Sequence, residues 1–316
     1  MRLRAATLFI ITLTVAASGC GGGGNGTHVR RGLLPAGGGG ALAYALPGLP
    51  STLDPLTAPG RPAQTVTRQI YEPLIEQLRG PYGQSTSQPG LALTAQPSPD
   101  RTTWILTLRS GVRFQDGTPF NAAAVLANSR RWSTSAAGRS LLPHLFAVDA
   151  PRPDEVRFLL DRPVPDLARR LASPRLGIVS PLALQPQSGR KASFNQEPSG
   201  SGTGAFEAKP SGPGRLELSR YAGWWGSAAG LGPALDAIAF VAAPQSAERL
   251  RLLQDGTVQV ADPLGPSGLR TAEADPLLTT VGGPLRGIGI EGSVRGIDSA
   301  RVVPVLSGVW LTNLTG

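Results

Sequence analysis

Nucleophilic, acid–base and metal chemistry each need particular side chains within reach of one another, and this chain offers few such sets. It has two histidines, His28 and His144, and a single cysteine, Cys20. A Cys/His metal site takes three or four ligands, and with Cys20 expected to be acylated and His28 far from His144 in the chain no such site is expected. Ser188-Gly189-Arg190-Lys191 has the Ser-x-x-Lys spacing in which a lysine can activate a serine, but the Ser-Asp-Asn and Lys-Thr-Gly companions are absent. Gly200-Ser201-Gly202-Thr203-Gly204 is glycine-rich, yet it lacks the third spacing of a dinucleotide fingerprint and lies in a polar loop. No Gly-Lys-Ser/Thr occurs, which excludes a phosphate-binding P-loop. His144 stands in the run Leu141 to Phe146 with no acid beside it, so it is expected to pack and not to act as a general base. Asp116, before Gly117, is expected to shape a turn through its own backbone. The balance favours a binding protein over an enzyme, with no cofactor and no metal.

The totals narrow the class further. The 316 residues are 41% hydrophobic and include 41 Gly and 30 Pro, enough apolar material for one large or two small domains with many loops. Net charge is +9, carried almost entirely by Arg, since Lys191 and Lys209 are the only lysines. The Arg pairs Arg30-Arg31, Arg130-Arg131 and Arg169-Arg170 are scattered and not clustered with aromatics on one element, which argues against nucleic acid as a partner.

The N-terminus reads as an export signal. Arg2 and Arg4 precede the uncharged, mostly apolar run Ala5 to Ala17. A bilayer span needs about 20 apolar residues, so this run is too short to cross, but it has the length of a signal-peptide core. Ala17-Ser18-Gly19-Cys20 then resembles a bacterial lipobox, with Ala17 in place of the usual Leu. Residues 1–19 are therefore expected to be a lipoprotein signal peptide and Cys20 the lipidation site. Acyl chains contribute about 0.8 kcal/mol per buried CH₂, and two or more hold a protein stably on a membrane. Residues 20–40, with all-glycine runs at Gly21 to Gly24 and Gly37 to Gly40, read as a flexible tether.

Beyond the tether, strands and helices interleave without a strict βαβ cadence, which predicts a mixed α/β architecture. Thr103 to Arg109 alternates, with Trp104, Leu106 and Leu108 on one face. Glu155 to Leu160, Arg215 to Arg220, Ala237 to Ala242 and Val302 to Leu306 also read as strands, and Ala41 to Leu46 is a hydrophobic start. Helices are predicted over Thr65 to Arg79, Asn121 to Trp132, Asp166 to Ala172 and Ser246 to Gln254. Between the first of these strands and the second helix, Asp116-Gly117 supplies a turn and Asn121 a helix cap.

Taken in order, the motifs resemble those of the peptide/nickel-binding family of ABC-transporter solute-binding proteins. Ser51-Thr52-Leu53-Asp54-Pro55 is similar to that family's early Leu-Asp-Pro, and Ile70-Tyr71-Glu72-Pro73-Leu74 to its Tyr-Glu-Pro-Leu. Residues 91–132, including "PDRTTWILTLRSGVRFQDGTPFNAAAV", follow its most recognisable stretch nearly position by position. "GSGTGAF" stands where the family has Gly-Thr-Gly-Pro-Tyr, so Ala205-Phe206 replaces Pro-Tyr, and Ala124 replaces a usual acidic residue in a helix's first turn.

The resemblance implies a type II-like periplasmic-binding-protein lobe with a β-rich subdomain, its core lobe in 41–75 and 201–316 and the subdomain in 76–200. It also implies that a second lobe, usual in the family, is largely missing around Glu291 to Ser299. Ligand contacts are then expected from Thr57, Ala58, Pro59, Gly60 and Arg61, and from Gly289, Ile290 and Glu291, where the chain would cross to that lobe. The implied partners are a peptide or other small solute, ABC permease subunits, the membrane through the lipid anchor, and a second copy through the exposed cleft face. The alternative is a structural or regulatory lipoprotein that kept the scaffold without transport.

Overall fold

The structure, a computed structural model, describes residues 39–79, 85–185, 201–209, 211–228, 232–281 and 292–295. The described chain opens with strand β1 (Ala41–Leu46), helix α1 (Gly60–Ile70) and the antiparallel pair β2 (Ile75–Arg79) and β3 (Ser85–Pro89). Strands β4 (Ala92–Pro97) and β5 (Thr103–Leu108) lead to helices α2 (Ala122–Thr134) and α3 (Ala136–Leu141). Then come β6 (Leu145–Arg152), β7 (Glu155–Leu160) and the short helices α4 (Leu167–Leu171) and α5 (Pro181–Leu184). The remainder is β8 (Phe206–Lys209), β9 (Arg215–Arg220), α6 (Trp225–Ala228), β10 (Ala237–Ala242), α7 (Ser246–Gln254), β11 (Val260–Ala261), α8 (Gly265–Glu273), β12 (Leu278–Val281) and β13 (Gly292–Arg295).

Two larger sheets result. The first is antiparallel, in the order β4-β5-β7-β6. Its inner face follows from alternation: Trp104, Leu106 and Leu108 of β5 are buried, as are Val156, Phe158 and Leu160 of β7. Register places Trp104 opposite Phe158 and Leu106 opposite Val156, so both apolar rows face the same side. Helix α2 covers them, with the Trp132 and Phe158 rings stacked at 6.5 Å.

The second sheet is mixed and seven-stranded, in the order β12-β13-β11-β1-β10-β9-β8. Its middle strand β1 runs parallel to both β10 and β11, and β9 and β13 run antiparallel to their neighbours. Both faces are covered. Leu42, Tyr44 and Leu46 point into a core shared with Val66 and Ile70 of α1, and Ala45 points into one shared with Leu250 and Leu253 of α7 and Ala272 of α8. The architecture is the mixed α/β one expected from the sequence.

The corner between β5 and α2 is built as its residues dictate. Gly117 takes φ +83°, a conformation that costs Gly little, and Asp116 Oδ1 accepts from Thr118 N at 2.8 Å. Asn121 Oδ1 accepts from Ala123 N at 3.0 Å and Ala124 N at 3.3 Å, capping α2. Asp116 does more than turn the chain: its Oδ2 accepts from Ser180 Oγ, whose oxygen in turn caps α5. Gln115 beside it spans to the glycine-rich loop, its Nε2 donating to Gly204 O at 3.1 Å and Phe206 O at 2.8 Å. That loop lies flat against α1, where a Cβ on Gly202 would stand 1.9 Å from Ile70 O. Gly202 and Gly204 are therefore required for close backbone approach.

Two expectations need correction. The helix predicted over Thr65 to Arg79 is instead α1 followed by β2. Pro73 has no N–H to donate and disfavours the helical region for Glu72, so the helix closes with Tyr71 N donating to Thr67 O at 2.9 Å. The same helix begins earlier than expected, at Gly60 with φ +68° and with Pro62 in its first turn. His144 is partly packed, but it is not without an acid. Antiparallel pairing of Leu145 with Leu160 brings the flanking residues together, and His144 Nδ1 lies 3.1 Å from Asp161 Oδ1 with about a third of its side chain exposed. The expected strand Val302 to Leu306, His28 and the Ser188 to Lys191 run lie outside the described residues.

Candidate functional site

Open α/β sheets present their ligand sites at the carboxyl ends of parallel strands, where chain reversals leave room between loops. Here β1, β10 and β11 end at one edge, at Leu46, Ala242 and Ala261. The loop leaving β1 delivers the start of α1 to this edge, and Arg61 in its first turn lies with Nη2 3.5 Å from Oδ2 of Asp262, the residue after β11.

The surroundings of this pair are rigidly tied. Tyr44 donates its OH to Asp262 Oδ2 at 3.0 Å, and Asp262 N donates to Ala45 O at 3.2 Å. Burial, and then the neighbouring Asp262 charge, hold the Tyr44 hydroxyl well above its ordinary value, so it remains a donor across the working pH range. Arg249 of α7 stitches the ends of β10 and β11 together. Its guanidinium donates to Ala243 O at 2.5 Å, Pro244 O at 2.9 Å and Pro263 O at 2.6 Å. An arginine that reads in sequence as surface charge is thus buried, with its donors spent on carbonyls at strand ends.

The loop from Thr57 to Arg61 is held by the Leu-Asp-Pro motif. Asp54 Oδ1 accepts from Leu56 N at 3.0 Å, Asp54 O accepts from Thr57 N at 3.2 Å and Ala58 N at 2.9 Å, and Arg175 Nη2 donates to Leu56 O at 3.0 Å. Of the five residues expected to meet a ligand, Thr57, Pro59 and Gly60 are exposed, Arg61 is about a third exposed, and Ala58 is buried. Gly289, Ile290 and Glu291 lie outside the described residues, as does Cys20; β13, which follows them at Gly292, pairs with β11. The involvement of Tyr44, Arg249 and Asp262 had no signal in the sequence. Tyr44 lies within an apolar run, and Asp262 meets Arg61 only through the parallel pairing of β1 with β11.

A second polar cluster sits inside the molecule. Glu72, after α1, is buried and accepts from Trp224 Nε1 at 3.3 Å and from Trp225 Nε1 at 3.1 and 3.0 Å on its two oxygens. Burial pushes its carboxyl up to about 8. Nearby Glu76 is pushed up to about 7, also by burial and against the opposing charge of Arg68 at 3.5 Å. The Arg109 guanidinium lies 4.0 Å from the Trp225 ring centroid. Trp225 packs against both major cores, so this cluster joins them and serves the scaffold. Among the described residues no group of three His, Cys, Asp or Glu side chains could hold a metal ion, and no helix is long and apolar enough to cross a membrane.

Residues 86–293 match the family described as "Bacterial extracellular solute-binding proteins, family 5 Middle". The chain belongs to this family. The curated relatives it resembles include the probable D,D-dipeptide-binding periplasmic protein DdpA of Escherichia coli (strain K12), 32% identical over 113 residues, covering 35% of this chain and 22% of that protein. The glutathione-binding protein GsiB of the same organism is 40% identical over 86 residues, covering 27% of this chain and 16% of GsiB. Among solved structures, the periplasmic binding protein DppA from Helicobacter pylori in complex with peptide STSA superposes with a TM-score of 0.67 at 21% identity. That match covers 78% of this chain and 51% of DppA, so the family fold is shared over about half of the longer protein.

Proposed function

We propose that the protein is the extracytoplasmic solute-binding component of an ABC importer and that its solutes are peptides. The observation that carries this reading is the family match over 86–293, joined to a loop, Thr57 to Arg61, left open at the carboxyl edge of the parallel strands. Support for the solute class comes from relatives whose own names state a D,D-dipeptide, glutathione and the peptide STSA. Membrane attachment through a lipid on Cys20, ABC permease subunits as partners, and the division into a core lobe and a β-rich subdomain belong to the same proposal. The Gly289 to Glu291 segment is its proposed second contact.

A solute enclosed on both sides gains contacts and loses water on both sides, whereas one resting on a single wall keeps part of those contacts. Restraining its freedom costs several kcal/mol either way. Each loss of about 1.4 kcal/mol weakens a complex tenfold, so one wall alone binds in the millimolar range unless a second copy or another subunit supplies the other wall. Calorimetric titration of the purified protein with pools of short peptides, with its oligomeric state measured alongside, tests the proposal. Peptide-dependent heat supports it, and submicromolar binding by a monomer overturns the single-wall account. The alternative reading is a scaffold-retaining lipoprotein without transport, and the absence of any peptide binding would select it.

A further inference from the structure

We infer that Arg61 reads a carboxylate on the solute, at a peptide's C-terminus or on an acidic side chain. The inference rests on the solute-binding proposal above and specifies its ligand class. Three observations lead to it. The Arg61–Asp262 pair is poorly made: at 3.5 Å it is an ion pair without a hydrogen bond, and Arg61 Nη2 is buried with no hydrogen-bond partner. Ion pairs taken out of water repay their desolvation only with good geometry, so a loose one adds little to stability. Second, the two charges are unequally presented. The Asp262 side chain is 5% exposed and the Arg61 side chain 32%, so a solute at this edge meets the cation and not the anion. An incoming ammonium group would be opposed by the guanidinium in front of the carboxylate.

Third, the local field has the same sign. Arg61 stands in the first turn of an eleven-residue helix that has no acidic residue in that turn and no side-chain cap from Pro59, so the positive end of the helix adds to its charge. The N–H groups of the guanidinium that are not turned toward Asp262 remain as charge-assisted donors to a carboxylate oxygen. Asp262, itself fixed by Tyr44, lies behind the guanidinium at the carboxyl edge of β1 and β11.

The test compares four probes by calorimetry on the full-length protein: trialanine, trialanine amide, Ala-Glu-Ala amide and succinate. Trialanine and Ala-Glu-Ala amide are expected to bind at least about tenfold more tightly than trialanine amide, a difference of about 1.4 kcal/mol. Arg61→Met is expected to erase that preference without lowering the thermal midpoint beyond a few degrees. Arg61→Lys keeps the charge but not the planar guanidinium; it should shrink the preference, and it is the variant read if Arg61→Met does not fold. Equal binding of all three peptides, or a preference that survives Arg61→Met, overturns the inference and leaves the peptide proposal standing. Binding of succinate alone, lost in Arg61→Met, overturns the peptide proposal and leaves the role of Arg61 standing. No binding of any probe overturns both.

Discussion

Arg131, in the last turn of α2, reaches back across the molecule to Asp54, its Nη2 lying 2.5 Å from Asp54 Oδ2. The other oxygen of the same carboxylate accepts from Leu56 N, so one side chain ties α2 to the loop that precedes Arg61. This relationship explains how the Leu-Asp-Pro motif sets the position of the candidate site. Asp54→Ala removes the acceptor of the Leu56 N–H and of Arg131 Nη2. The expected loss is about 1–3 kcal/mol, measured by urea unfolding, with peptide affinity falling as well. Unchanged stability would show that the loop is held by other contacts.

The cap on α2 separates scaffold from site. Asn121→Ala removes the oxygen that accepts from Ala123 N and Ala124 N and should cost about 0.5–2 kcal/mol. Peptide affinity should remain at the wild-type value, because the corner lies in the β4-to-β7 module and not at the carboxyl edge of β1. Full stability combined with a large affinity loss would move the site to this corner.

Glu72 gives the protein a pH dependence with a definite sign. Its carboxyl is ordinarily near 4.5 and is pushed to about 8 in the folded state by burial. Between those values the folded state holds a proton that the unfolded state has released, so stability falls as pH rises through the window and levels off above it. Glu76, pushed to about 7, acts in the same direction over a narrower window. Urea midpoints measured from pH 4.5 to pH 8 should decline, and Glu72→Gln should flatten, though not abolish, the decline. A rising wild-type curve would contradict the assignment.

Cys20 is proposed to carry the lipid anchor. Cys20→Ala should move the protein from the membrane to the soluble fraction, or stall it as an uncleaved precursor, when the two fractions are compared by immunoblotting. Membrane retention equal to wild type would rule the anchor out.

Much of the scaffold was written in local pattern. Alternation in β5 and β7, the Asp116-Gly117 turn, the Asn121 cap and the bounds of α7 each depend on residues within a few positions of one another. Side-chain period and turn chemistry therefore suffice to read them. The early end of α1 was legible too, in Pro73, but the apolar content of Ile75 and Leu78 masked it, since a short apolar run suits either a helix or a strand.

The site itself was only half legible. Motif order proposes the loop from Thr57 to Arg61 as a contact but could not say that Ala58 turns inward or that Arg61 meets Asp262. That meeting depends on β1 lying between β10 and β11, a register set by burial of both faces of the sheet over residues about two hundred positions apart. Likewise Arg249 and Glu72 look like surface charges in the sequence, and only packing places one on strand-end carbonyls and the other beneath two indoles. Local chemistry determined the elements; long-range burial decided which polar groups lie together, because a charge withdrawn from water must find its partners wherever the fold has put them.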